Sequence, residues 1–172
     1  IAVWAYTNCE EVELWLNGRS QGRRRIERFG HGEWQVAYEP GEVMAVGYVG
    51  GVERARETVR TSGPAVGLKL VAEDTRAAAN GQDIAVFTCL AIDAQGREVP
   101  DASATVTFFS SPLGRIVGAG SDVSEHKRLS DPAVHMRAGR AAVAVRLGAQ
   151  HGTLRVMAQA DGWQSAHCEL EI

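Results

Sequence analysis

The sequence predicts an all-β protein of two tandem β-sandwich domains, and three observations carry that reading. Apolar and polar residues alternate at period two along short runs. Those runs are closed by Asn-Gly, Gly-Gly and Pro-Gly turn signals. After Ser62-Gly63-Pro64-Ala65 the pattern stops and then restarts. The 172 residues leave room for two small domains, and 45% hydrophobic with 23% charged residues is a globular composition.

The first domain is expected over 1–62. Val12, Leu14 and Leu16 alternate with Glu11, Glu13 and Trp15, and Asn17-Gly18 turns the chain at once. Arg23-Arg24-Arg25 follows as a solvated edge strand, whose charges discourage unwanted pairing, with a polyanion site the alternative. Trp34, Val36 and Tyr38 alternate next, until Glu39-Pro40-Gly41-Glu42 breaks the run. Val43–Val49, the Gly50-Gly51 turn and Val52–Thr61 read as a hairpin. Trp4 and Trp34 are read as core residues.

Residues 63–65 form the expected linker, because Pro64 donates no backbone hydrogen bond and pushes Gly63 toward extended geometry. The second domain is expected over 66–172. Its strands are Val66–Ala72, Ile84–Asp93, Ala104–Ser110, a short Arg115–Gly118, Ala141–Leu147, Thr153–Ala160 and Ser165–Ile172. Gly118–Arg140 reads as a long loop with one edge strand near Val134–Met136. About seven strands at ten-residue spacing make two tandem immunoglobulin-like β-sandwich domains the predicted fold class. Within the second core, alternation selects Ile84, Val86, Leu90 and Ile92, then Val143, Val145 and Leu147, then Leu154 and Val156.

Charge excludes one class of partner. The net −3 divides into −1 over Ile1–Ser62 (8 basic, 9 acidic) and −2 over Gly63–Ile172 (10 basic, 12 acidic). Neither half has the basic excess that neutralises phosphates, so no nucleic-acid partner is expected. No apolar stretch approaches the roughly 20 residues of a membrane span. Ile1-Ala2-Val3-Trp4 has no basic n-region or cleavage-like tail and is not read as a signal peptide. Cys9, Cys89 and Cys168 form no CxxC pair and no zinc spacing. Cys89 and Cys168 are read as small core residues, with a disulfide between them the alternative.

No catalytic residue, cofactor or metal ligand is predicted. Most of the 21 acidic residues sit at alternating exposed positions, so their number selects no glycosidase pair. His31, His126, His135, His151 and His167 show no i, i+2 or i, i+4 pairing. His126 and His135 share the long loop with Asp122, Glu125 and Asp131, which reads as a polar surface segment with a metal site the alternative. Three residues remain as interdomain or sugar contacts. Trp15 faces away from the core if Val12, Leu14 and Leu16 face inward. Trp163 follows the Asp161-Gly162 turn, and Asp122 ends a glycine-rich stretch.

Thr7–Gly18 read TNCEEVELWLNG and are followed by Arg19-Ser20-Gln21-Gly22. This segment resembles the C-terminal β-sandwich region of bacterial family 2 glycoside hydrolases of the β-galactosidase type, where TN-x-(D/E)-EVEL-x-LNG-x-S-x-G recurs. Trp34–Gly41, Ala45–Tyr48 and Arg60–Ala65 resemble its next strands and exit linker. Leu68–Asp74, Gly81–Asp83, Ile92–Gly96 and Gly114–Gly120 resemble the immunoglobulin-like module after it. The resemblance implies a parent with a sugar-binding jelly roll, an immunoglobulin-like domain and a (β/α)8 barrel upstream of Ile1. The family's acid/base and nucleophile glutamates lie in that barrel, and no position here matches them. The family's Asn-Gly-Asp turn is also altered, because Ala119-Gly120-Ser121-Asp122 lacks the asparagine.

The implied function is a non-catalytic C-terminal accessory region of a β-galactosidase-like hydrolase, supporting domain packing or assembly. Its partners are then the upstream catalytic domain, another subunit, or galactosides, with no membrane partner. The alternative is a carbohydrate-binding or adhesin-like immunoglobulin tandem. The compartment is left open, with a periplasmic or secreted bacterial setting favoured over a cytoplasmic one.

Overall fold

The computed structural model describes residues 1–73, 76–122 and 131–172. The chain divides into two compact units, Ile1–Thr61 and Ser62–Ile172. Every strand is antiparallel to its neighbours, and no helix occurs among the described residues.

In the first unit, β1 (Ala2–Tyr6) pairs with β4 (His31–Gln35) as a two-stranded sheet. β2 (Glu11–Leu16), β3 (Arg19–Arg25), β5 (Glu42–Val49) and β6 (Val52–Arg60) form a second sheet in the order β3-β2-β5-β6. The arginine-rich β3 is therefore an edge strand. The β2–β3 turn needs two left-handed residues, and Asn17 (φ 48°) and Gly18 (φ 74°) supply them. Asn17 is also a clamp: its Oδ1 accepts from the Glu42 N–H at 2.8 Å, and its Nδ2 donates to the Pro40 carbonyl at 3.2 Å.

Val12, Leu14 and Leu16 of β2 make the core with Trp34 and Val36, with Val3, Ala5, Ile26, Val43 and Ala45 around them. Trp34 is 2% exposed and satisfies its indole N–H on the Gly22 carbonyl at 3.1 Å. The expectation for Trp4 is corrected: it is 55% exposed. Val3 lies opposite Trp34 in register, so Val3 and Ala5 take the inner face and the pleat sends Trp4 and Tyr6 outward. There they meet His31, with ring centroids 4.9 Å (Trp4) and 5.2 Å (Tyr6) from the imidazole.

The second unit stacks two four-stranded sheets. One contains β7 (Gly67–Ala72), β8 (Ile84–Ile92), β10 (Gly114–Gly120) and β12 (Arg140–Leu147) in the order β10-β12-β8-β7. The other contains β9 (Thr105–Ser110), β11 (Ala133–His135), β13 (Thr153–Ala160) and β14 (Ala166–Glu171) in the order β11-β9-β13-β14. Of the expected long loop, β10 extends to Gly120 and β11 is the edge strand, while residues 123–130 lie outside the described residues. At Gly139 (φ 68°) a Cβ would lie 2.1 Å from the Val99 carbonyl oxygen, so the turn into β12 requires glycine.

The core of this unit confirms two of the three predicted faces and corrects the third. Val143, Val145 and Leu147 of β12 and Leu154 and Val156 of β13 are at most 1% exposed. On β8 the inner face is instead Ala85, Phe87, Cys89 and Ala91, while Ile84 and Val86 are 49% and 40% exposed. Leu90 is buried but sits outside the core cluster. Both parities of β8 are apolar, so alternation does not choose between them. Register chooses: Ala85 lies opposite Val145, Phe87 opposite Val143 and Cys89 opposite Ala141.

All three cysteines are free thiols. Cys89 is fully buried, and burial pushes its thiol up to about 12, so it stays protonated as a small core residue. Asp93 is the buried charged residue among the described residues, and it ties Gly63 to the end of β8. Its Oδ2 accepts from the Gly63 N–H at 2.8 Å and Arg97 Nε at 2.7 Å. Its Oδ1 accepts from the Gln95 and Arg97 N–H groups, both at 2.9 Å.

Candidate functional site

Trp15 lies on the outward face of its sheet, with Ser20 opposite on β3 and Met44 opposite on β5. The indole is half-buried rather than freely exposed. The same face carries Val46, buried although it points away from the core, and Tyr48. A polar lattice surrounds them. The Ser20 hydroxyl donates to Glu13 Oε1 at 2.6 Å, and the Tyr48 hydroxyl donates to Glu13 Oε2 at 3.3 Å. Arg23 lies 3.6 Å over the Tyr48 ring and pairs with Glu11 at 2.8 Å. Desolvation, then the charge and hydrogen bond of Glu13, raise the Tyr48 phenol above its ordinary value. Glu13 is thus engaged by two hydroxyls. The Trp15 Nε1, sealed from solvent, has no hydrogen-bond partner among the described residues.

Trp163 belongs to a different environment. The Ala160–Trp163 turn joins β13 to β14, with Gly162 left-handed (φ 76°) and the Trp163 N–H donating to the Ala160 carbonyl at 3.3 Å. The indole packs partly on the core and partly lines a depression of about 460 Å³ at the end of the β9–β13 face. The side chains of Thr107 and Phe109 on β9 and Gln159 on β13 line it as well. Phe109 and Gln159 were not singled out from sequence. The signal lay in the Phe108-Phe109 pair: a strand must send one ring to each face, and here Phe108 is 1% exposed and Phe109 45%.

Asp122 follows β10, with its carboxylate 4.0 Å from Arg137 Nε, and it does not line the Trp163 depression. The structure therefore does not gather Trp163 and Asp122 into one site. Ser121 donates to the His135 carbonyl at 2.6 Å, and the His135 ring meets the Ser103 hydroxyl at 2.9 Å. Glu125 and His126, named with the loop alternative, lie outside the described residues. Among the described residues, no group of three or more His, Cys, Asp or Glu is placed to hold a metal ion.

Several carboxylates are committed to ion pairs. Glu42 pairs with Arg60 at 2.6 Å and Glu98 with Arg140 at 2.6 Å; Glu39 pairs with Arg19 and Glu169 with Arg155. Glu53, Asp83 and Asp93 are shifted below their ordinary values. The cause is the Arg56 hydrogen bond for Glu53 and the Ala78 N–H and Asn80 side chain for Asp83. For Asp93, burial alone would raise the pKa, and the hydrogen bonds from Gly63, Arg97 and Gln95 more than offset it. A general acid for glycoside cleavage needs the opposite displacement.

Residues 68–169 match the family model of the glycoside hydrolase family 2 C-terminal domain 5. The chain belongs to that family. The family 2 C-terminal assignment covers the second unit, and residues 1–55 of the first match a domain of unknown function, DUF4982. Among curated relatives, a β-galactosidase of Bacteroides ovatus, BoGH2A, is 30% identical over 170 residues, covering 96% of this chain and 20% of that protein. A β-glucuronidase of Formosa agariphila is 28% identical over 174 residues, covering 98% and 18%. A glycosyl hydrolase family 2 member from Bacteroides cellulosilyticus has a crystal structure that matches with TM-score 0.90 at 26% identity, over 99% of this chain and 22% of that one. A β-glucuronidase structure from the same family matches at 0.86 and 26%, over 99% and 18%. The chain thus spans about a fifth of the length of the curated relatives it matches.

Proposed function

We propose that this chain is a non-catalytic accessory region of a family 2 glycosidase, packing on the rest of its parent and supporting its assembly. The observation that carries the reading is the match to a C-terminal domain of that family in a chain a fifth as long as its glycosidase relatives. In this reading 1–62 and 66–172 are two separately folding modules joined at 63–65. The parent hydrolyses a β-glycoside, with galactosides and glucuronides the substrate classes its relatives' names suggest. The isolated chain is expected to release no chromophore from aryl β-galactosides or aryl β-glucuronides. Turnover that one Asp or Glu substitution in this chain abolishes would overturn the reading.

Trp15 supplies the docking face. An unpartnered buried N–H costs about 1–3 kcal/mol, a cost relieved when docking shifts the side chains that cover the indole and brings an acceptor to it. Trp15→Phe keeps most of the ring and deletes the donor. In the isolated chain it is expected to be close to neutral by urea denaturation. In the full parent it is expected to weaken docking or assembly by about 1 kcal/mol without changing KM. Equal effects in the two settings would show that the parent offers this N–H nothing.

A further inference from the structure

We propose that the depression at the end of the β9–β13 face is a binding site for a neutral saccharide of one or two rings, with Phe109 and Trp163 as its apolar walls. A pyranose has C–H faces that pack on aromatic rings and a rim of hydroxyls that both donate and accept. A site that recognises it must therefore combine aromatic surface with short polar side chains in a concavity. The depression offers that combination. Its volume of about 460 Å³ lies within the range of small-molecule sites. Five of its nine lining residues carry a hydroxyl, an amide or a carboxylate: Thr105, Thr107, Gln159, Asp161 and Ser165.

Those polar groups are available. The side chains of Thr105, Thr107, Asp161 and Ser165 take no hydrogen-bond partner among the described residues, and Gln159 Nε2 has only a 3.8 Å contact to Met157 Sδ. They hydrogen-bond to water in the free protein and exchange it for sugar hydroxyls on binding. The walls are held in place. Phe109 stands on the hydrogen-bonded strand β9, opposite Met157 of β13. Trp163 is fixed by the Gly162 turn before it, and Gln164 after it exchanges backbone hydrogen bonds with Val66 and Leu68, both at 2.9 Å. Preorganisation of this kind lowers the entropic cost of binding.

Charge selects the ligand class. Asp161 is the one charged residue in the lining, and it accepts from hydroxyls while repelling carboxylates, sulfates and phosphates. Arg155, on the same strand as Gln159, is committed to Glu169. The site therefore favours a neutral sugar over a uronate. A protein contact would place a larger apolar area here than two rings and an alanine.

The test uses the whole 172-residue chain, labelled with 15N and titrated with methyl β-galactoside, lactose and sodium glucuronate. It does not depend on the accessory reading, since binding is measured on the chain alone and no turnover is involved. Saturable shifts of the Trp163 indole N–H and of Thr107 and Gln159 are expected with a neutral sugar, with a dissociation constant on the order of 1 mM. Glucuronate is expected to bind more weakly. Phe109→Ala, at a position 45% exposed, and Asp161→Ala are each expected to weaken binding roughly fivefold or more while the spectrum stays dispersed. Asp161→Asn should narrow the gap between lactose and glucuronate. No saturable shift with either neutral sugar, or shifts that survive both alanine variants, would overturn the proposal and leave this face to a protein contact.

Discussion

Phe87→Ala is expected to destabilise the second unit by about 3–5 kcal/mol, the loss typical of emptying a buried aromatic site. Phe87 is fully buried at the centre of β8, opposite Val143 of β12, and the core around it includes Phe108, Leu154 and Val156. Such a cavity costs both the transfer free energy of the ring and the contacts its walls lose. Against a total stability of about 5–15 kcal/mol for a domain, this brings the unit near its unfolding limit. Val86→Ala is the internal control. Val86 is adjacent in sequence but 40% exposed on the other face, so its loss should stay near 0.5 kcal/mol. Urea midpoints compared at constant m separate the two positions. A larger loss at Val86 than at Phe87 would mean that β8 pairs in the other register.

The second large effect is expected at Asp93. Four hydrogen bonds converge on one buried carboxylate, three of them from backbone N–H groups of Gly63, Gln95 and Arg97. Asp93→Ala leaves those donors without an acceptor and should lower the melting temperature by roughly 10 °C. Because the carboxylate is held well below its ordinary range in the folded chain, the ionised form stabilises the fold. That stabilisation is fully present above the unfolded value of about 4 and is lost as pH falls from there through the folded value. Melting temperatures of the wild type should therefore drop below about pH 4, and Asp93→Asn should flatten that part of the profile. A wild-type and Asn profile that remain parallel there would remove Asp93 from the acid response.

The Asp93 network also bears on the boundary between the units. From sequence, Ser62-Gly63-Pro64-Ala65 is a break. In the structure the Gly63 N–H is held by Asp93 and the Val66 N–H by the Ile92 carbonyl. Pro64 announces itself in the sequence because its chemistry is local. The Asp93 contact spans thirty residues, and no local pattern carries it.

Strand existence and most turns were legible from the sequence because their causes are short-range. Asn17-Gly18 supplies two left-handed residues in a two-residue hairpin turn, and Val12, Leu14 and Leu16 alternate with Glu11, Glu13 and the half-buried Trp15, so the two charged positions fix which face goes inward. The resemblance, carried by Thr7–Gly18 and by pieces of the second unit from Leu68 to Gly120, was likewise legible, and the family model that matches residues 68–169 agrees with it. What only the tertiary structure decided is which face of an ambiguous strand goes inside. Ile84–Ile92 is apolar at both parities, and its register against β12 selected Phe87 over Val86. In Ala2–Tyr6 the small residues went inward because Trp34 already occupies that layer, so Trp4 was turned to the surface. The same holds for the candidate sites. Trp163 stood out by its turn, but Thr107, Phe109 and Gln159 join it only through the pairing of β9 with β13. Period-two alternation reports that a strand has two faces; the partner strand and the volume already filled determine which of them meets the core.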